Sequence, residues 1–179
     1  KEKIMKKRIS LGLTMLAVSM LLGGNVVNAA PAKEVSVVEQ FGDAIEEVTV
    51  DGFKYKISVA GEAMLVGGSF GEQIIVPETI SYNNSDYKVV GIASTAFQDA
   101  KSTISITLPS SVDTIHTGTF AGVNFLENVE VQSLLVSVKD ILPSHVNLTA
   151  YKDSKAYKEY QAGGSTGKLN AIQMQVSLH

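Results

Sequence analysis

The sequence predicts a mainly β chain: a short repeat solenoid with an N-terminal β-hairpin region and a small C-terminal helix. Three observations point there. Asp51-Gly52 lies between two alternating apolar runs, Val48/Val50 and Phe53/Tyr55/Ile57/Val59, the strongest short-range hairpin signal. Apolar positions in the middle of the chain recur at an offset of 23. Near the C-terminus, Lys152 to Tyr160 has the composition of a short helix, with Asp153 or Ser154 as its N-cap.

The elements follow in order. Lys1, Lys3, Lys6, Lys7 and Arg8 form a basic start, Leu11 to Leu22 a mostly apolar stretch, and Val27-Asn28-Ala29-Ala30 a small-residue site. These are the three parts of a secretory signal peptide. The apolar run is shorter than the ~20 residues of a membrane span. Cleavage is expected after Ala29, with Ala30 the alternative. Met5 is the expected start, because Lys1 is no initiator. Residues 30–46 read as a flexible lead-in, and residues 47–179 as one domain with caps. Within it, Ala63-Met64-Leu65-Val66 reads as a strand ended by Gly67-Gly68. Gln73-Ile74-Ile75-Val76 reads as another, stopped by Pro77, which cannot extend a ladder. Ser81 to Asp86 is polar, and Tyr87 to Val90 returns to strand character.

The repeat is clearest between Ile92-x-x-x-Ala96-Phe97 and Ile115-x-x-x-Thr119-Phe120. The same offset carries Ile106 and Leu108 to Val129 and Val131. Ile74, Val76, Pro77 and Ile80 match Ile106, Leu108, Pro109 and Val112, with a longer polar insertion before the next Ile. Val146-x-Leu148-x-Ala150-Tyr151 reads as a shortened last copy. A short strand and a turn per repeat cannot bury an apolar face alone, so neighbours stack. Periodicity by itself leaves an ordinary β sandwich open.

Composition sets limits. The 179 residues include 18 acidic and 15 basic ones, no Cys and no Trp. An apolar fraction of 45% suits a globular core rather than a disordered chain. Without Cys there is no disulfide framework, thiol nucleophile or Cys-based metal site. Removing residues 1–29 leaves 10 basic against 17 acidic residues, a net charge of -7. That balance argues against nucleic acid as a partner.

Three stretches together resemble a known family. Gly91-Ile92-Ala93-Ser94-Thr95-Ala96-Phe97, Ile104-Ser105-Ile106-Thr107-Leu108-Pro109-Ser110-Ser111-Val112-Asp113-Thr114-Ile115 and Gly118-Thr119-Phe120-Ala121-Gly122 resemble the BspA-like leucine-rich repeat of bacterial secreted and cell-surface proteins. The opening Asp51 to Tyr55 and Tyr87 to Ile92, and the tail Tyr151 to Tyr157, are similar to that family's flanking segments. Thr119 stands where the family has Ala, Val131-Gln132 lacks the Pro, and residues 133–145 lack an Ala-Phe unit. The resemblance covers residues 47–162. It implies an exported, short leucine-rich-repeat solenoid that binds proteins, with adhesion to host extracellular-matrix or cell-surface proteins as the usual role. It carries no catalytic or ligand residues across. The rival expectation is a structural or inhibitory envelope module that self-associates.

A binding face follows from strand alternation. If Ile106 and Leu108 face the core, Ser105 and Thr107 face outward. Their neighbours by repeat offset are Asn128 and Glu130, Gln73 and Ile75, and Asn147 and Thr149. This row is poor in the aromatic and Arg anchors that dominate interfaces. Tyr82, Tyr87, Tyr151, Tyr157 and Tyr160 are the aromatic candidates, with Tyr87 and Tyr157 expected to be packed.

Enzymatic readings fare worse. Gly67-Gly68-Ser69-Phe70-Gly71 matches G-x-S-x-G, but that motif needs a strand-to-helix elbow, and here a strand is expected next. The reading preferred is a Gly-rich turn with positive φ. His116, His145 and His179 lack zinc spacing, and His116 reads as a surface residue. Glu46, Glu47 and Asp51 read as a solvated hairpin edge. Asn83-x-Ser85 and Asn147-x-Thr149 match glycosylation acceptors only weakly. No cofactor or metal is expected, and the chain reads as non-catalytic. The terminal segment Leu169 to Leu178 alternates partly, at Ile172, Met174, Val176 and Leu178, and reads as a closing strand.

Overall fold

The computed structural model describes residues 44–173. The expected signal peptide, the lead-in up to residue 43, and the Met174 to Leu178 part of the closing strand lie outside the described residues, as does His179.

The hairpin forms as expected. Strands β1 (Ala44–Val50) and β2 (Phe53–Ser58) pair antiparallel, with Val50 opposite Phe53. Asp51 and Gly52 both take positive φ, 50° and 83°, the twist a two-residue hairpin loop requires. Strand β3 (Glu62–Gly68) continues the antiparallel meander against β2. The solenoid then begins. β4 (Gln73–Ile75) is followed by a hairpin of β5 (Thr79–Tyr82) and β6 (Ser85–Ile92). Composition did not point to β5. Its turn is Asn83-Asn84, both at positive φ, a turn chemistry that Asn tolerates. This hairpin is the polar insertion between the first and second repeats.

Later turns of the coil follow the 23-residue offset. β6 pairs in parallel with β8 (Thr114–Ile115), placing Ile92 beside Ile115. β7 (Ser105–Leu108) pairs in parallel with β9 (Asn128–Val131), placing Ile106 beside Val129 and Leu108 beside Val131. Phe97 and Phe120 stack with ring centroids 5.8 Å apart. The backbone repeats too: the Ala93 N–H donates to the Leu65 carbonyl and the His116 N–H to the Ile92 carbonyl. Apolar residues equivalent by sequence thus touch each other, as stacking requires. The solenoid reading holds, and the sandwich of unrelated strands does not.

Two sheets result. One runs β1-β2-β3-β6-β5, with β8 joined to β6. The other holds β4, β7, β9, β10 (Asn147–Tyr151) and β11 (Leu169–Ile172), all parallel, in the order β11-β10-β9-β7-β4. A single core carries residues from both, including Leu65, Ile92, Phe97, Ile106, Leu108 and Leu148. The closing strand begins at Leu169, where the expected segment starts.

Helix α1 (Lys155–Ala162) covers the C-terminal end of the core with Ala156 and Tyr160. Ser154 is its N-cap: the hydroxyl accepts from the Tyr157 N–H at 3.1 Å, satisfying a donor that a helix start leaves free. Glu159 on this helix replaces the repeat turn that residues 133–145 lack. Its carboxylate accepts from the Ser137 hydroxyl and from the N–H groups of Val138 and Lys139, at 2.8 to 3.1 Å. Burial by itself would raise this carboxyl, but those hydrogen bonds and the nearby Lys155 ammonium hold it below the usual carboxylate value. A depressed folded-state pKa stabilises the fold above the unfolded carboxyl value, about 4.3, and that contribution is lost as pH falls through the folded value. Glu159→Gln is therefore expected to lower the urea midpoint near neutral pH and to flatten its decline below about pH 4. Parallel midpoint curves for the two proteins would show that the carboxylate does not stabilise this end.

Candidate functional site

The outer face of the five-stranded sheet is built from alternation and register. In β7, Ile106 and Leu108 are buried while Ser105 and Thr107 are partly exposed. Parallel pairing aligns Gln73, Ser105, Asn128 and Asn147 in one row. It aligns Ile75, Thr107, Glu130 and Thr149 in a second. The structure therefore brings all eight expected residues onto one face. Ile75 stands at the edge with 67% of its surface exposed.

Side chains brace each row. The Asn147 amide donates to the Asn128 side-chain oxygen at 3.0 Å, and its own oxygen accepts from the Lys168 N–H at 2.8 Å. Asn147 is thus a brace between three turns. Gln132 donates to the Glu130 carboxylate at 2.8 Å, which pins the one acidic group of the two rows.

One face residue escaped the sequence reading, and one of the aromatic candidates joins it. Asn170 extends the second row beyond Thr149. Tyr151 shares the outward parity of Asn147 and Thr149, since Leu148 and Ala150 between them are buried. It gives the face an aromatic beside Ile172, its register partner. The signal was present: Tyr151 lies two residues past Thr149, and period-two counting along β10 finds it.

Other expectations need correction. Tyr160 is not an accessible aromatic. It is buried, and its hydroxyl donates to the Val146 carbonyl at 2.6 Å. Tyr82 is partly buried and packs against the core, while Tyr87 and Tyr157 pack there as expected. His116 is half-buried rather than a plain surface residue, and its Nε2 is enclosed without a hydrogen-bond partner among the described residues. His145 is exposed.

The G-x-S-x-G stretch leads from β3 into β4 with no helix after it, so the elbow geometry is absent there. Its glycines do not take positive φ either. Gly68 is required for close approach, because a Cβ there would press on the Gly52 carbonyl and the Phe70 ring. The stretch is itself a repeat turn. Leu65 pairs with the Ile92 rung, Phe70 meets Phe97 edge-to-face at 5.6 Å, and Ile74 pairs with Ile106. The spacing of five from Leu65 to Phe70 equals that from Ile92 to Phe97 and from Ile115 to Phe120. That spacing could have revealed the extra copy. Glu46, Glu47 and Asp51 are exposed. Among the described residues, no group of three acidic or His side chains could hold a metal, and no helix is long and apolar enough to cross a membrane.

No protein-family model matches the chain, and no curated protein does. Three solved structures are similar to it. The solved structures it resembles are leucine-rich-repeat proteins. One is a leucine-rich cell surface protein from Faecalibacterium prausnitzii, at 19% identity and a TM-score of 0.46 over 73% of this chain and 31% of that one. A leucine-rich-repeat protein from Bacteroides ovatus gives 20% identity and 0.44, over 61% of this chain and 33% of that one. Another from Bacteroides capillosus gives 22% and 0.45, over 61% of this chain and 85% of that one. The chain thus spans about a third of the first two. The solenoid fold of this chain rests on its own strand register.

Proposed function

We propose that this chain is a secreted or cell-surface protein-binding module of the adhesion type, acting without catalysis through the outer face of its five-stranded sheet. The observation that carries this reading is the in-register alignment of the two outward rows, with Tyr151 beside them. A rigid sheet presents such rows with little ordering cost on binding. Support for export comes from the three-part leader at residues 1–29. The partner expected is a host extracellular-matrix or cell-surface protein.

The test is surface binding of residues 30–179 to immobilised extracellular-matrix and cell-surface proteins. The comparison protein carries Thr107→Glu with Glu130→Lys, and a second carries Tyr151→Ala. A saturable partner whose affinity falls by about tenfold or more in both supports the face, as central anchors do. A partner retained by both variants moves the site off this sheet.

One observation favours a second reading. Among the described residues, β11 pairs on one side only, and an open strand edge can recruit another chain. A self-associating envelope module is the function this would serve. Sedimentation velocity over a concentration series separates the two: a growing sedimentation coefficient without any protein partner selects self-association.

A further inference from the structure

The five-stranded sheet has two open edges. Among the described residues, β4 pairs only with β7, and β11 only with β10. An unpaired edge is a template for another strand. The ladder shows which backbone groups are left over. The Glu72 carbonyl accepts from the Ser105 N–H, and the Val76 N–H donates to the Thr107 carbonyl. Alternate residues of a strand turn their N–H and C=O groups to opposite sides, so Gln73 and Ile75 turn theirs to the open side of β4. The Lys168 carbonyl accepts from the Leu148 N–H, so Leu169 and Ala171 turn theirs to the open side of β11. All five strands run parallel, so the two edges share one direction and present opposite sides. The chain is also unevenly charged. Residues 44–130 carry 11 acidic and 4 basic side chains, whereas residues 131–173 carry 3 acidic and 5 basic ones. The β4 end is acidic and the β11 end basic.

We propose that copies of this chain join head to tail, β11 of one copy pairing in parallel with β4 of the next. The proposal rests on the self-association reading above and names the surfaces it uses. One register satisfies both edges. With Ala171 beside Ile74 of the next copy, the Ala171 N–H meets the Gln73 carbonyl and the Ile75 N–H meets the Ala171 carbonyl. Leu148 stands beside Leu169 of β11 in the same way. The side chains agree with this register. Asn170 falls beside Gln73 of the next copy, continuing the amides of the outer face. Ile172 falls beside Ile75 of the next copy, which is 67% exposed in a single copy. Tyr151, already the register partner of Ile172, extends that apolar contact. Inward, Ala171 is set beside Ile74. The exposed Lys168 comes one position from the exposed Glu72 of the next copy, and the two oppositely charged ends attract each other. A contact between two different patches is heterologous, and it propagates into a filament unless the rotation closes a ring. Each junction repeats the stacking that builds the solenoid itself.

The experiment is sedimentation velocity on residues 30–179 over a concentration series, with two edge variants. Ile75→Lys puts a charge on the β4 edge. Ala171→Pro removes an N–H that β11 turns to its open side, a place where an edge strand tolerates Pro. The parent protein is expected to sediment faster as its concentration rises. Each variant alone has one blocked edge and is expected to stay monomeric. Mixed in equal amounts, the two variants are expected to form a dimer and nothing larger, β11 of the Ile75→Lys chain pairing with β4 of the Ala171→Pro chain. Variants that associate like the parent overturn the head-to-tail contact. So does a mixture that stays monomeric while the parent associates, and in both cases self-association stands through another surface. A parent protein that stays monomeric throughout overturns this contact and the self-association reading together. If Ala171→Pro fails to fold by circular dichroism, Ile172→Lys takes its place, blocking the same edge from the outer face.

Discussion

Phe97→Ala is expected to destabilise the domain by about 3–5 kcal/mol, a large part of the roughly 5–15 kcal/mol that such domains have. Phe97 is fully buried at the middle of an aromatic column. Phe53 lies 5.6 Å from Phe70, Phe70 5.6 Å from Phe97, and Phe97 5.8 Å from Phe120. The column joins the hairpin region to the first three repeat turns. Removing its central ring leaves a cavity touching both neighbours, and close-packed turns cannot collapse fully to fill it. Phe53 is only partly buried at the end of the column, so Phe53→Ala is expected to cost measurably less. Urea unfolding of both variants checks this. Equal losses at the two positions would show that the rings stabilise their own turns and not a shared column.

Gly167→Ala is expected to cost about 1–3 kcal/mol through overpacking, despite adding a single methyl group to a loop. A Cβ at Gly167 would overlap the Val146 carbonyl oxygen and the Tyr160 hydroxyl. Those two groups already hydrogen-bond each other. The loop cannot retreat freely, since the N–H groups of Thr166 and Gly167 both donate to the Ser144 carbonyl. Something has to shift, and β11 and α1 are the elements attached. Hydrogen exchange at Leu148 to Tyr151 and Leu169 to Ile172 is expected to quicken along with the fall in unfolding midpoint. A midpoint and exchange pattern equal to the parent protein would mean that the approach is looser than the structure has it.

Most of the fold was legible because its signals are local or periodic. Asp51-Gly52 dictates a hairpin turn whatever surrounds it, and Ile92, Phe97, Ile106 and Leu108 recur 23 residues later as the same rungs. The first repeat was only half legible. Its Ile74 matched Ile106, but at an offset of 32, against 27 from Phe70 to Phe97: the β5–β6 hairpin lengthens both spans beyond 23, and Ile74 follows Phe70 by four residues where Ile106 follows Phe97 by nine. Unequal insertions hide a repeat from period counting even when the core contacts are kept. Thr119, a departure from the family pattern, fits because its buried hydroxyl donates to the His116 carbonyl at 2.5 Å, with the Ala93 carbonyl of the preceding turn also in reach at 3.2 Å.

The candidate face was legible for the same reason: alternation along β7 and the repeat offset place Ser105, Thr107, Asn128 and Glu130 side by side. What those side chains do there was not legible. Asn147 braces Asn128 and the backbone at Lys168, and only the distances across turns show it.

The sequence alone determined the class of architecture, the hairpin, the stacked columns and the outward rows, since periodic burial and turn chemistry act over a few residues. Tertiary structure decided which side chains are free. Tyr160 was withdrawn into the core, Glu159 made into the cap of the last turn, and the Tyr55 hydroxyl left without a hydrogen-bond partner among the described residues. Each of these depends on groups brought together from distant parts of the chain or from different sheets. No local pattern encodes such a meeting, because it depends on how neighbouring turns and sheets pack.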